Sequence, residues 1–412
     1  MRILYLHQYF KTPSMSGGTR SFELARRLVE HGHDVHIVAS DQESNSRSIR
    51  RTKESGILVT WIPVRYSNQL AFNKRLLAFA KFAIQSSFQA MRWNPDVVYA
   101  TSTPLTIGIP GLLASRRWGV PLVFEVRDLW PEIPIAMGAL RNPFTRAAAR
   151  YLERTIYQNS AHVVALSPGM RDGILAAGVE AERTSVIPNL CNPDFSLIDE
   201  RQIETLKRGL PPLSGRKVVV YAGTFGKAND LSYLILLARK CLELDPSILF
   251  LVAGDGMERE EIVSLAHREG VLNSTVYFLG RLPKAQMPSF FQLADVSLAL
   301  FAPIPELEHN SANKFFDSIA TGCPVAINYG GWQADLIRKE SLGIVLDRDV
   351  ARASRLLVDS LKDRPFLDAA RASALRLRHE FSADKAAASL MHILENVRGT
   401  QEATAAFAGL PS

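Results

Sequence analysis

Two successive series of short β-branched runs, each alternating with longer stretches of helical periodicity, constrain this chain more than any other feature. Strands joined through helices run parallel, and a parallel sheet must be covered on both faces, so each series predicts a doubly wound α/β domain. In the first series the strand candidates are Arg2–Leu6, Asp34–Ala39, Ile57–Pro63, Val97–Ala100, Leu122–Val126, His162–Leu166 and Ser185–Ile187, with helices such as Arg20–Glu30 and Pro143–Asn159 between some of them. The second series runs through Lys217–Ala222, Ile248–Ala253, Thr275–Leu279, Val296–Leu300, Pro324–Asn328 and Gly343–Leu346, with helices Ser232–Leu244, Arg259–Glu269 and Pro288–Ala294. Between the two lies Asn189–Ser214, whose NLCNPDF, charged helical segment and GLPPLSG have the composition of a domain connection. A length of 412 residues likewise exceeds one typical core. The fold read from this pattern is α/β, with two Rossmann-like parallel-sheet domains, residues 1–190 and 191–380, facing across a cleft. A helix with an apolar stripe at Ala386, Leu390, Ile393, Leu394 and Val397 follows over residues 381–400, and the Ala-rich 401–412 reads as a mobile tail.

Composition narrows the function. The apolar share is 47%, which describes a folded chain and excludes a largely disordered one. A net charge of +7 and a pI near 9.3 point to something acidic: nucleic acid, phosphorylated substrates or an anionic membrane. The three cysteines, Cys191, Cys241 and Cys323, are far apart and form no CxxC pair, so neither a disulfide framework nor a zinc site is supported. The opening MRILYLHQYF is interrupted by His7 and Gln8 and reads as a strand rather than a signal peptide. No apolar stretch is long enough to span a bilayer, and the expected location is cytoplasmic.

Ligands of open parallel sheets bind at the carboxyl ends of the strands, so the chemistry is sought in those loops. After the first strand, Gly17 and Gly18 allow a ligand close to the backbone and Thr19 is placed to cap the next helix; a plain tight turn explains the same residues. Arg127 and Asp128 follow Leu122–Val126, where Asp128 reads either as a base or hydroxyl-orienting group or as a salt-bridging partner of Arg127. In the second half Gly223 and Lys227 follow one strand, AGDGMERE another, and Arg281 a third. With Lys314, three basic residues then stand in separate strand-end loops, as converging contacts to a diphosphate require. The stretch HNSANKFFDSIATGCPV gathers His309, Asn310, Ser311, Asn313 and Lys314 at a helix N-terminus, with Asp317 one turn in. Free N–H groups and the helix dipole favour an anion there, although Ser and Asn also serve as ordinary caps. Asp347–Arg348–Asp349 has the D-x-D spacing of some metal sites, but its position after the last strand reads as a solvated turn.

The order and spacing of SGGTRSFELARRLVEHGHDV, FEVRDLWPE, VIPNLCNPDF, YAGTFGKAND, VAGDGMERE, YFLGRLPKAQMPSFFQLADVSLALF, NKFFDSIATGCPV and GGWQADLI resemble a family 4 retaining glycosyltransferase of the GT-B fold. Within it the chain is similar to bacterial O-antigen and capsule enzymes that transfer amino sugars such as N-acetylfucosamine. The resemblance implies a hexosyltransferase-type enzyme that needs neither a metal nor a cofactor, and a C-terminal helix, residues 381–400, that crosses back to pack on the N-terminal domain. It implies donor contacts from Gly17 and Gly18 at the diphosphate, from Gly223 and Lys227 in the phosphate loop, and from Arg281 and Leu282 around the nucleobase. The family's two glutamates map on His309 and Asp317. Asp317 can hold the ribose hydroxyls with a shorter reach, whereas His309, or Glu308 beside it, must stand in at the donor sugar. Asn313 falls within the same donor-binding stretch. The usual Arg and Lys-Gly of the phosphate loop are not reproduced, and Lys314 is placed to supply the missing charge. Arg127 replaces the usual His before Asp128, which removes a His-based role there.

The implied donor is a UDP-sugar and the implied acceptor a saccharide linked to a lipid pyrophosphate, in synthesis of surface polysaccharide. Asp128, Lys227 and Lys314 are the residues assigned to catalysis. Ala71–Trp93 mixes Lys74, Arg75, Lys81 and Arg92 with Phe72, Leu76, Leu77, Phe79, Phe82 and Phe88, which fits a helix on the inner face of the cell membrane or, alternatively, aromatics facing the domain core. Two other functions fit less well. A nucleotide-sugar 2-epimerase would share the two-domain plan without a lipid acceptor; a non-catalytic nucleic-acid-binding protein would explain the pI, but its glycine loops would have no role and no nucleic-acid motif is present.

Overall fold

The computed structural model describes residues 1–15, 17–42, 48–66, 72–192, 195 and 200–408. It divides into two compact units, one formed by Met1–Thr12, Gly18–Pro188 and Ala383–Ser412, the other by Pro13–Gly17 and Asn189–Ser382. Each contains one sheet.

In the first unit the strands are β1 (Arg2–Leu6), β2 (Asp34–Ser40), β3 (Arg50–Glu54), β4 (Ile57–Ile62), β5 (Val97–Thr101), β6 (Leu122–Val126), β7 (His162–Ala165) and β8 (Thr184–Val186). Their order is β3-β4-β2-β1-β5-β6-β7-β8, and every neighbouring pair is parallel except β3 with β4. The inner strands are buried on both sides, as the continuous β-branched runs require. The second unit holds β9 (Lys217–Thr224), β10 (Ile248–Asp255), β11 (Val276–Gly280), β12 (Val296–Ala299), β13 (Val325–Ile327) and β14 (Gly343–Val345) in the order β11-β10-β9-β12-β13-β14, all parallel. These are the two Rossmann-like parallel sheets expected of the chain.

Strand order reverses between β1 and β5 in one sheet and between β9 and β12 in the other. Adjacent crossovers leave such points towards opposite faces, which opens a crevice at the carboxyl ends of those strands. The glycines that line the second crevice are sterically required. Gly254 has φ +141, and an added Cβ would lie 1.8 Å from the carbonyl oxygen of Gly223. We expect Gly254→Ala to cost the second unit about 1–3 kcal/mol through backbone strain, read as an earlier urea midpoint; an unchanged midpoint would mean that the loop relaxes freely.

Several elements lay outside the sequence expectation. β3 is an added antiparallel edge strand, and helices Gly108–Trp118, Pro168–Ala176, Trp332–Glu340, Val350–Lys362 and Arg364–Leu377 cover the sheets beyond those anticipated. The C-terminal helix runs over Ala383–Ala408, longer than residues 381–400, and it belongs to the first unit. Residues 409–412 of the expected mobile tail, and Ala71 at the start of the expected surface helix, lie outside the described residues; the helix is described from Phe72 to Ala90.

Candidate active site

At the first reversal point, β1 runs into His7, β5 into Ser102 and Thr103, and β6 into Arg127 and Asp128. Thr103 donates its hydroxyl to the Asp128 carboxylate, and the Ser102 hydroxyl accepts from the Arg127 backbone N–H at 2.9 Å. Burial raises the pKa of Asp128, an effect that Thr103 and Arg127 only partly oppose. A carboxylate with a raised pKa is a better proton acceptor than a solvated one. Arg127 makes no ion pair among the described contacts; its Nη1 donates to Nε2 of His7 at 3.4 Å. That contact places the ring proton of His7 on Nδ1, an atom that is buried without a partner. Burial and the neighbouring Arg127 both push the His7 pKa well down, so the ring is neutral. His7, which follows β1, therefore stands against Arg127, the residue at the position before Asp128.

An aromatic group lies against the same loops. Tyr9 packs on Tyr66 with ring centroids 4.8 Å apart, Tyr66 stacks on Phe79 at 5.6 Å, and Phe79 meets Trp130 edge-on at 6.4 Å. Arg75 lies over the Tyr66 ring at 5.8 Å, and its Nε is buried without a partner. Neither Tyr9 nor Tyr66 was singled out from sequence, because nothing local marks residues that meet across such separations. Gly17, with φ +133, and Gly18 are exposed before helix Arg20–Glu30. Thr19 occupies the N-cap position but makes no side-chain cap bond, so the first turn of that helix keeps its N–H groups uncapped by it.

Lys314 organises the second reversal point. It sits on helix Asn313–Thr321, whose N-cap is Ala312 and carries no side-chain cap bond. The polar residues read as possible caps thus do not cap: Ser311 accepts from the Asn189 backbone N–H at 3.2 Å instead, and Asn313 is exposed. The Lys314 ammonium donates to Asn229 Oδ1 at 2.6 Å and to the Tyr221 hydroxyl at 3.2 Å, and it lies 4.7 Å from the Tyr221 ring and 5.8 Å from the Phe301 ring. Tyr221 comes from β9, Asn229 from the loop after β9 and Phe301 from the loop after β12, so the cation bridges the crevice. No carboxylate faces it in any described ion pair, and burial lowers its pKa to about 7. Gly223 is fixed by the same packing, since an added Cβ would lie 2.8 Å from the Tyr221 hydroxyl.

The other predicted residues are distributed less evenly. Lys227 is exposed on a single turn, Lys227–Asn229. Arg281 pairs with Asp255 at 3.1 Å, and Leu282 beside it is half-buried. The three cations expected to converge differ in their surroundings: Lys314 is half-buried with no described ion pair, Lys227 is exposed and Arg281 is paired. Asp317 is paired too, with Lys284 at 3.2 Å, and the Lys284 ammonium lies 4.4 Å from the Phe195 ring. Burial raises the Asp317 pKa although Lys284 opposes this. Any ribose hydroxyl that reached Asp317 would share it with Lys284, a residue not anticipated from sequence. Glu308 and His309 end the turn Pro305–His309. The Glu308 carboxylate lies against Gly330, where an added Cβ would be 2.9 Å from Oε2, whereas His309 is exposed. Of the two, Glu308 is the one held against the glycines that precede helix Trp332–Glu340. Both acids of the D-x-D string serve the backbone: Asp349 caps helix Val350–Lys362 by accepting from Ala351 and Arg352, and Asp347 accepts from the Asp349 N–H at 2.9 Å.

Residues 17–190 match the model of a glycosyl transferase 4-like domain, and residues 202–376 match that of glycosyl transferases group 1. The chain carries a glycosyl transferase 4-like domain followed by a glycosyl transferases group 1 domain. Its fold is GT-B. The chain is 23% identical over 306 residues to a protein of Escherichia coli K12 that bears the name colanic acid biosynthesis glycosyl transferase WcaI, covering 70% of this chain and 74% of that one. It is 24% identical over 397 residues to the 2-deoxystreptamine glucosyltransferase of Streptomyces kanamyceticus, covering 92% and 98%. Among solved structures, Anabaena HepE in complex with UDP and glucose superposes with a TM-score of 0.71 at 18% identity, covering 96% of this chain and 100% of that one. Sucrose-phosphate synthase from Thermosynechococcus elongatus gives 0.77 at 15% identity, covering 97% and 99%.

Proposed function

We propose that this glycosyltransferase moves a sugar, N-acetylated in our reading, from a UDP-sugar to a saccharide carried on a lipid pyrophosphate, with retention of anomeric configuration and without a metal. Residues 191–380 hold the donor and residues 1–190 the acceptor in this reading. The observation that carries it is Lys314: a half-buried ammonium held by a hydroxyl, an amide oxygen and two aromatic faces, with no carboxylate against it among the described ion pairs, at a helix N-terminus whose N-cap residue makes no side-chain cap bond. Its environment calls for an anion. A diphosphate supplies one.

The acceptor hydroxyl oxygen attacks the anomeric carbon as the bond from that carbon to the diphosphate oxygen breaks. The electron pair leaves with UDP. Lys314, with Lys227 and the N–H groups of helix Asn313–Thr321, stabilises the charge that develops, and Asp128 orients the acceptor hydroxyl or takes its proton. HepE, whose structure is described as a complex with UDP and glucose, supports the choice of a uridine nucleotide. The mycobacterial relative named GDP-mannose-dependent alpha-mannosyltransferase supplies the competing base for the test. UDP is expected to raise the melting temperature and GDP to leave it unchanged; the reverse order would reassign the nucleobase, and no shift with either would remove the donor assignment. Asp128→Asn should keep the UDP shift and lose about 10²–10⁴-fold in turnover. Intact turnover would end the role given to Asp128.

Acceptors on a lipid place the enzyme at a bilayer, on the inner face of the cell membrane. Along helix Phe72–Ala90, Phe79 and Phe82 face the core, as one of the two sequence readings held. Lys74, Leu77, Lys81, Ile84 and Phe88 recur at helical spacing on the outer side, with Leu77 71% and Phe88 58% exposed. A stripe of cations between apolar side chains suits shallow contact with anionic lipid. No described helix is long and apolar enough to cross a membrane.

A further inference from the structure

We infer that helices Phe72–Ala90, Gly108–Trp118 and Pro143–Gln158 together form one docking face for an anionic lipid bilayer, and that Pro143–Gln158 meets it through Phe144 and Tyr151. The inference rests on the lipid-linked acceptor reading above and enlarges its footprint from one helix to three.

Topology puts the three helices on one side of the sheet. The step from β1 to β2 runs one way along the strand order, while the steps β4 to β5, β5 to β6 and β6 to β7 run the other way. With right-handed crossovers, helix Arg20–Glu30 therefore lies on one face and the three helices lie on the other. Phe72–Ala90 packs against Gly108–Trp118, which packs against Pro143–Gln158.

On that side large apolar groups face outward. Phe144 is 86% exposed and Tyr151 76%. They are two helical turns apart and so share one side of their helix. Leu113 on Gly108–Trp118 is exposed as well, between this pair and the Leu77, Ile84 and Phe88 stripe of the first helix. Isolated exposed apolar residues need no explanation, but a patch continued over three adjacent helices does.

Charge selects the partner. Phe72–Ala90 carries Lys74, Arg75 and Lys81 and no acid. Gly108–Trp118 carries Arg116 and Arg117 and no acid. Pro143–Gln158 carries Arg146, Arg150 and Arg154 against Glu153, which is buried and whose pKa is raised to about 7 by burial and by Glu132. Glu132 itself pairs with Arg150 at 3.0 Å, and helix Pro168–Ala176 on the same side holds one Arg and one Asp. The helices of the opposite side, Arg20–Glu30 and Ala383–Ala408, carry as many acidic as basic residues. The asymmetry is thus a property of one face rather than of the unit. A second copy of that face would set like charges against each other, and a nucleic-acid backbone offers nothing apolar to Leu77, Ile84 or Leu113. An anionic bilayer offers both phosphate and hydrocarbon.

The experiment is flotation of the full chain with phosphatidylglycerol/phosphatidylcholine vesicles at low and high salt, beside the UDP thermal shift. Wild type is expected to float at low salt and not at high salt. Phe144→Ser with Tyr151→Ser, and separately Leu77→Ser with Phe88→Ser, should each reduce partitioning about tenfold while leaving the melting temperature and UDP shift unchanged, because these side chains are exposed. Loss of binding in the second variant alone would confine the footprint to the first helix and overturn the inference. No flotation of wild type would overturn both lipid readings while the UDP shift kept the transferase reading standing. Duplex-DNA binding without vesicle binding, or dimerisation abolished by Tyr151→Ser, would assign the face to another partner.

Discussion

Lys314→Met is expected to raise the melting temperature of the ligand-free protein and to abolish its stabilisation by UDP. Both outcomes follow from the same half-buried ammonium. Its pKa is lowered to about 7 by burial, below the value of a lysine in the unfolded chain, so between these two values the unfolded state binds more protons. Stability of the second unit should therefore rise with pH from about 7 upwards, the full cost of burying the charge being felt below that. Methionine has nearly the same reach with no charge to bury, and the variant should lose this pH slope and melt about 2–4 °C higher at neutral pH. Diphosphate binding supplies the missing counter-charge and raises the lysine pKa. UDP affinity of the wild type should accordingly weaken by up to tenfold per pH unit above about 7, with proton uptake on binding measurable in buffers of different ionisation enthalpy. A variant that melted lower, or that retained the UDP shift, would mean that Lys314 is structural and faces no donor.

The fold was readable from sequence because its signal is local. Short, β-branched runs such as VVVYA and ILFLVA, bounded by glycines or polar turns, read as strands buried on both faces, and the glycine that ends helix Asn313–Thr321 announces its own left-handed turn. β3 escaped for the opposite reason: Arg50–Glu54 reads RRTKE, a charged edge strand paired with β4 alone among the described strands and carrying no apolar run. Helix Gly108–Trp118 begins Gly-Ile-Pro-Gly, a composition that local rules assign to a turn. The partly legible site follows the same logic. Residue types and strand-end positions pointed to Asp128, Lys314 and Asp317, but the partners that set their chemistry come from far along the chain. Lys284 reaches Asp317, Asn229 reaches Lys314, and His7 reaches Arg127 across 120 positions. Such pairs are created by the sheet order, which a single sequence does not display.

Another long-range partnership in the first unit gives the second large effect. Arg20 and Glu125 are both buried, with Nε and Nη2 of Arg20 donating to Glu125 Oε1 at 3.1 and 2.8 Å. Thr101 donates to the other carboxylate oxygen at 2.9 Å. Burial alone would raise the Glu125 pKa, but Arg20 and Arg127 outweigh it and the value lies below the ordinary range. The stability this contributes is present above the unfolded glutamate value and is lost as pH falls through the folded one. Glu125→Leu leaves the guanidinium buried without its counter-ion and should cost the first unit about 3–5 kcal/mol. Adding Arg20→Met removes that stranded charge, yet recovery should be partial, because Arg20 also donates to the carbonyls of Ile187 at 2.9 Å and of Pro188. Those carbonyls belong to the segment in which the first unit ends, so the guanidinium ties the core of the sheet to the chain's exit from it. Glu125 also stands two residues before Arg127 on β6. Denaturant unfolding of the two single variants and the double variant measures the coupling directly, and the UDP shift, which the proposed function assigns to the second unit, should survive in all three while turnover falls. Equal and additive losses would show that the pair does not act as a unit, and that the Arg127–Asp128 loop takes its position from the strands alone.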